Sequence, residues 1–149
     1  MSIGVICRMN QARSIFVEGV LTKNFPELDF FSSGVQAVSG SAAIDGVEEL
    51  AKVWEIELTK KRSSTIQEDL SEILEAELII CAEMAYEPEI RRLGYSGKVL
   101  NFEQLMQLYN VLLRLQTNLF SYETHFYASF SDVAIQLRTS AICCTSHDF

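Results

Sequence analysis

Near its start the chain reads Ile3-Gly4-Val5-Ile6-Cys7-Arg8-Met9-Asn10-Gln11-Ala12-Arg13-Ser14-Ile15-Phe16-Val17-Glu18-Gly19-Val20-Leu21. The apolar run from Ile3 to Ile6 has the length and composition of a buried strand, and the stretch from Ile15 to Leu21 continues as a helix. Between them lies a short polar connection that begins with a cysteine and ends in Arg13-Ser14. A strand that feeds a helix through such a loop turns several backbone N–H groups toward one point, and the helix dipole adds partial positive charge there. Loops of this kind bind oxyanions.

The residue types in the loop suit that use. A thiol in such a field loses its proton more readily than free cysteine, because the dipole and a nearby guanidinium both favour the thiolate. Cys7 is therefore the candidate nucleophile. Arg8, Met9, Asn10, Gln11 and Ala12 supply enough chain to curl around a tetrahedral anion, and Arg13 offers parallel donors to its equatorial oxygens. Ser14 is placed to donate a hydrogen bond to the sulfur and ease its departure as a leaving group. Asn10, near the apex, suits a left-handed backbone turn. If Cys7 merely packed under the first helix, the register of Asn10, Arg13 and Ser14 with it would have no explanation.

The remaining sequence alternates strands with helices, the pattern of an α/β fold with a parallel sheet covered on both faces. Strands are expected over 3–6, 29–32, 78–81 and 99–101. Helical spacing is clear in Val47, Leu50, Ala51 and Trp54, introduced by Asp45 with Glu48 three residues on, a capping-box arrangement. Thr65 and Glu68 repeat that signature before Leu70, Ile73 and Leu74, and a short helix over 88–93 is expected to end at Gly94. Beyond residue 102 the pattern is nearly all helical. Leu105, Leu108, Leu112 and Leu115 form one apolar stripe and Phe126, Phe130, Val133 and Leu137 another. Right-handed crossovers with the first strand central give a three-layer, four-stranded sheet of order 2-1-3-4, with Cys7 in the crevice at the strand C-termini. No linker or repeat interrupts 1–149, so a single domain is expected.

Composition narrows the function. The 149 residues are 48% hydrophobic and 21% charged, which argues against disorder and fits one buried core. A formal net charge of −8 repels nucleic acid and makes a basic pocket conspicuous. No apolar run is long enough to span a bilayer, and the start lacks a signal-peptide pattern, so a cytoplasmic protein is expected. Cys7, Cys81, Cys143 and Cys144 show neither zinc spacing nor a secreted disulfide framework. Cys81 reads as a small core hydrophobe, the adjacent Cys143 and Cys144 as packing residues, and His125 and His147 are too far apart to suggest a metal site. Neither metal nor cofactor is expected. Lys60-Lys61-Arg62 reads as a solvated turn. Phe120, Tyr122, Phe126, Tyr127 and Phe130 read as helix core or, in the sharper alternative, as an apolar wall beside the pocket.

The pattern Cys7-x-x-Asn10-x-x-Arg13-Ser14 resembles the low-molecular-weight protein tyrosine phosphatase family, in which it also stands close to the N-terminus. Further likenesses are Glu18 in the first helix, Phe31-Ser32-Ser33-Gly34-Val35, the helix opened by Asp45, Ala76-Glu77-Leu78-Ile79-Ile80, and Lys98-Val99-Leu100, so the resemblance covers roughly residues 3–105. It implies a nucleophilic Cys7, phosphate held by Arg13 and the loop residues Arg8 to Ala12 with Ser14, and Ser32 steadying the loop through Asn10. Its substrates would be a phosphorylated protein or a small phosphoester. There are departures from the family pattern. Met9 stands where members usually have glycine, Ala12 replaces a frequent second loop cysteine, and Ile15 replaces a proline. The Asp-Pro pair that supplies the general acid is missing from the neighbourhood of residues 117–123, where Glu123 is the nearest ionisable candidate. General acid catalysis is typically worth about 10²–10⁴-fold. Three functions are therefore expected in descending order: a cysteine-dependent phosphatase, a phosphate-binding interaction module that has lost turnover, and an arsenate reductase, which would need two further cysteines near the third strand.

Overall fold

A computed structural model of the chain describes residues 1–58 and 62–117. Strands β1 (Ser2–Cys7), β2 (Asp29–Gly34), β3 (Leu78–Cys81) and β4 (Lys98–Asn101) form one parallel sheet in the order β2-β1-β3-β4, as the sequence leads one to expect. Because every strand runs the same way, the segments that follow Cys7, Gly34 and Cys81 all emerge at one edge of the sheet. Register fixes their neighbourhood. Cys7 lies opposite Gly34, and Ile6 lies between Ser33 on one side and Cys81 on the other.

A parallel sheet covered on both faces buries both sets of side chains, so its strands read as continuous apolar runs. Val5, Ile6, Ile79 and Ile80 are at most 2% exposed. Ile6, Ile66, Ile73, Ile79, Cys81 and Ile90 pack as one cluster, each isoleucine contributing about 1.5–3 kcal/mol through burial. Helix α1 (Arg13–Asn24) is buried almost all round from Ser14 to Leu21, which is why its sequence shows no polar face. Its Phe16 meets Trp54 edge to face, with ring centroids 6.2 Å apart.

Helix α2 (Asp45–Val53) corrects one expectation. The N-cap is Ile44, not Asp45, and no side chain caps the helix. The Ile44 N–H is donated to the Gln11 carbonyl at 3.1 Å, which ties the helix entry to the phosphate-loop candidate. Asp45 and Glu48 then lie inside the first turn, where their charge favours the helix dipole. The second capping box does form: Thr65 N–H reaches Glu68 Oε2 at 2.8 Å and Glu68 N–H reaches Thr65 Oγ1 at 3.2 Å. It closes a turn, and helix α3 (Leu70–Glu75) starts after it. Helix α4 (Glu87–Arg92) has Pro88 in its first turn and gives way to Gly94 at φ 97°.

The chain divides into two compact units after Asn101. Met1–Asn101 holds the sheet, and helix α5 (Phe102–Thr117) opens the second. The stripe from Phe126 to Leu137, the aromatic cluster from Phe120 to Phe130, Lys60 and Lys61, both histidines, Glu123, Cys143 and Cys144 lie outside the described residues. No helix among the described residues is long and apolar enough to cross a membrane.

Candidate active site

Cys7 ends β1 and is 3% exposed. Its Sγ lies 3.0 Å from Ser14 Oγ and accepts the Asn10 backbone N–H at 3.2 Å. The loop between them is fixed by Asn10, which adopts φ 52°, the left-handed turn anticipated from the sequence. Among the described non-glycine residues only Asn10 and Glu55 have positive φ. Met9 therefore needs no glycine-like freedom, and its substitution for glycine is accommodated by ordinary backbone geometry.

Asn10 is 1% exposed, so its amide must find partners inside. Nδ2 donates to Ser14 Oγ and to Ser32 Oγ, both at 2.9 Å, while Oδ1 accepts the Ser64 N–H at 2.9 Å. One side chain thus joins the loop to α1, to β2 and to the segment before α3. Two backbone bonds add to this frame: Val35 N–H to the Cys7 carbonyl at 3.0 Å and Gln36 N–H to the Arg8 carbonyl at 2.8 Å. Beneath them, Ser33 Oγ and Ser64 Oγ both donate to Asp69 Oδ2.

Arg13 opens α1 as expected, and its guanidinium is held by residues that local spacing did not single out. Nη1 donates to Glu83 Oε1 at 2.5 Å and Nη2 to the Tyr86 hydroxyl at 3.3 Å. Tyr86 Oη in turn donates to Glu83 Oε1 at 3.0 Å. Burial works against the Arg13 charge, but the bonds to Glu83 and Tyr86 and the fields of Tyr86 and Cys7 outweigh it, raising its pKa above the ordinary value. The Arg13 hydrogen bond holds the Glu83 carboxyl below the usual carboxylate range, against the opposing effect of partial burial. Tyr86 is pushed up, chiefly by burial.

Beside the loop lies a surface depression of about 300 Å³, lined by Arg8, Val35, Gln36, Glu83, Tyr86 and Glu89 among others. Arg8 is exposed and its Nε donates to Gln36 Oε1 at 2.8 Å. Gln11 and Ala12 are half-buried; their carbonyls accept bonds from Ile44 and Phe16. Among the described residues no group of His, Cys, Asp and Glu is arranged to hold a metal. Cys81 shares a sheet face with Ile6 and is fully buried, and burial followed by the field of Glu87 pushes its thiol up to about 12. Burial thus favours the neutral thiol, a poor nucleophile.

Of the residues expected at the site, Cys7, Asn10, Ser14 and Ser32 are joined by hydrogen bonds, while Arg13 opens α1 next to Ser14 with its guanidinium bonded to Glu83 and Tyr86. Sequence reading missed the roles of Glu83, Tyr86, Ser64 and Asp69. A signal for Glu83 existed: it stands two residues after the end of β3, and a sheet of order 2-1-3-4 brings that connection beside the first loop.

Comparison with known proteins gives the fold a place. No protein-family model matches the chain, and no curated protein does. Solved structures do. The tyrosine phosphatase AmsI of Erwinia amylovora aligns with a TM-score of 0.60 at 24% identity, over 66% of this chain and 66% of that one. Wzb of Vibrio vulnificus, solved with benzylphosphonate, gives 0.60 at 22% identity over 66% of this chain and 71% of its own. The arginine phosphatase YwlE of Geobacillus stearothermophilus gives 0.61 at 25% identity over 70% and 68%. The fold is that of the low-molecular-weight protein tyrosine phosphatases, as the sequence resemblance implied.

Proposed function

We propose that the chain hydrolyses phosphomonoesters, phosphotyrosine in proteins first among them, through a cysteinyl-phosphate on Cys7. The supporting observation is the convergence at one sulfur of the Asn10 N–H and the Ser14 hydroxyl, with Arg13 opening the helix next to Ser14. In this reading Cys7 Sγ attacks phosphorus in line, and the bond to the leaving oxygen breaks with its electron pair on that oxygen. Arg13 steadies the equatorial oxygens with the N–H groups that Glu83 and Tyr86 leave unused. Water then attacks the phosphocysteine, the thiolate departs with Ser14 Oγ donating to it, and inorganic phosphate is released. The departing phenolate oxygen needs a proton. The chain has no Asp-Pro pair to supply it, and Glu123 is the nearest ionisable candidate in the sequence.

A second reading has its own support. Glu83 and Glu89, paired with Arg13 and Arg92, line the depression beside the loop, and carboxylates there suit a substrate that carries a cationic group. An N-phosphorylated guanidinium fits that description, and one structural relative is an arginine phosphatase. When its P–N bond breaks, the electron pair stays on nitrogen and a neutral guanidine leaves, to be protonated by water. Arsenate reduction is disfavoured, because Cys81 is sealed in the core and the described residues hold no cysteine besides it and Cys7.

One set of assays tests these readings. Wild type and Cys7→Ser would be given para-nitrophenyl phosphate, a phosphotyrosine peptide and a phosphoarginine peptide. Turnover of the first two, lost in Cys7→Ser, is expected; turnover of the phosphoarginine peptide alone replaces the first reading by the second. If Glu123 is that donor, Glu123→Gln slows the phosphotyrosine peptide by about 10²-fold or more while sparing the activated ester, and equal effects on both argue against the role. Binding of phosphate without turnover of any substrate would leave an interaction module, and equal turnover by Cys7→Ser would refute the mechanism.

A further inference from the structure

We propose that Asp69, outside the loop, is a positioning residue that sets the reactivity of Cys7 through Ser64 and Asn10; the inference rests on the thiolate-loop reading above. The route is continuous. Asp69 Oδ2 accepts the hydroxyl of Ser64, the Ser64 N–H holds Asn10 Oδ1 at 2.9 Å, and the Asn10 N–H reaches Cys7 Sγ at 3.2 Å. Asn10 also carries Ser14 Oγ, the other donor or acceptor on the sulfur. Each link is polar and at least partly removed from water, so each is directional and poorly replaced by solvent.

Asp69 is well placed to act as the fixed end. Its N–H is bonded to the Thr65 carbonyl at 3.2 Å, and its own carbonyl accepts Ile73 N–H at 2.9 Å in the first turn of α3. Ser33 Oγ on β2 donates to the same carboxylate oxygen, so the carboxylate is braced by the sheet as well. Ser64 is further pinned by its carbonyl, which accepts the Gly34 N–H at 3.0 Å. What Asp69 adds is a charged acceptor that pulls the Ser64 segment onto the end of β2, where its N–H meets Asn10. The left-handed turn at Asn10 is the element this arrangement holds in place.

The test reads the thiol directly and needs no turnover. Full-length protein is treated with iodoacetate at neutral pH with and without inorganic phosphate, and carboxymethylation of Cys7 is followed by peptide mass analysis for wild type, Asp69→Ala, Asp69→Asn and Ser33→Ala. Asp69→Ala is expected to slow alkylation about tenfold, the scale of one charge-assisted hydrogen bond lost, and to weaken phosphate protection. Asp69→Asn keeps one acceptor and is expected to recover part of the rate; Ser33→Ala leaves the Ser64 link intact and is expected to stay within about twofold. A merely structural Asp69 would lower the melting temperature in both Asp69→Ala and Ser33→Ala with the folded-state alkylation rate unchanged, and that result overturns the proposal. Should Asp69→Ala fail to fold, Ser64→Ala, which keeps the N–H and loses the hydroxyl, decides in the same way. A wild-type Cys7 that phosphate does not protect refutes the functional reading itself; protected wild type with an unaltered Asp69→Ala refutes only this inference.

Discussion

At the scale of single residues, the chemistry of this loop is set by groups arriving from three different parts of the chain. Asn10 comes from the loop, Ser64 from the segment before α3, and Glu83 from the far side of β3. The Glu83–Arg13 pair gives a pH test with a definite sign. Because the Glu83 carboxyl is lowered in the folded chain, its contribution is present above the ordinary carboxylate pKa and is lost as pH falls through the lowered folded value. Glu83 is half-exposed, so the contribution is small, no more than about 1 kcal/mol. Thermal melts of wild type and Glu83→Gln are expected to differ at about pH 6–7 and to converge toward about pH 3. An offset that stays constant over that range would show that the ionised pair is not the cause.

At the scale of elements, the end of β2 forms the floor under the loop. A Cβ placed on Gly34 would lie 2.8 Å from the Arg8 carbonyl oxygen, 3.0 Å from the Asn10 nitrogen and 2.8 Å from Ala37 Cβ. Two of those atoms are loop backbone, so no side-chain rotation relieves the contact. Gly34→Ala is expected to cost about 1–3 kcal/mol and to cut kcat/KM at least about tenfold. Gly46→Ala in α2, where a Cβ meets open space, is the control, and is expected to stabilise by about 0.4–1 kcal/mol without changing activity. Equal activity in the two variants would count against this account of the loop's support. The same element explains what was legible in the sequence. Strand, loop and helix from Ile3 to Leu21 are contiguous, so spacing alone located Cys7, Asn10, Arg13 and Ser14. Glu83 and Asp69 are joined to the loop only through the register of β3 and β2 against β1, which no local spacing encodes. Asp45 was misread for a related reason: a backbone bond from Gln11 chose Ile44 as the helix entry, and capping signals in a single segment do not register such distant ties.

At the scale of the whole molecule, the formal net charge of −8 opposes the approach of any phosphorylated substrate. Sodium chloride shortens the screening length from about 30 Å at 0.01 M to about 8 Å at 0.15 M, so the repulsion felt at a distance fades while the contacts inside the loop persist. Raising salt across that range is expected to increase kcat/KM toward an anionic peptide several-fold, measured at substrate well below KM; a steep fall would mean that a local basic field around Arg8 and Arg13 governs encounter instead. The hydrogen-bond knot around Asn10 also has a consequence for how such a scaffold diversifies. The turn at Asn10 is anchored from below, by Ser32, Ser64 and Asp69, while Arg8 and Gln36 stand on the rim with exposed side chains. The rim is therefore open to retooling: new leaving groups can be accommodated by exchanging those outward residues, with the machinery underneath left as it is.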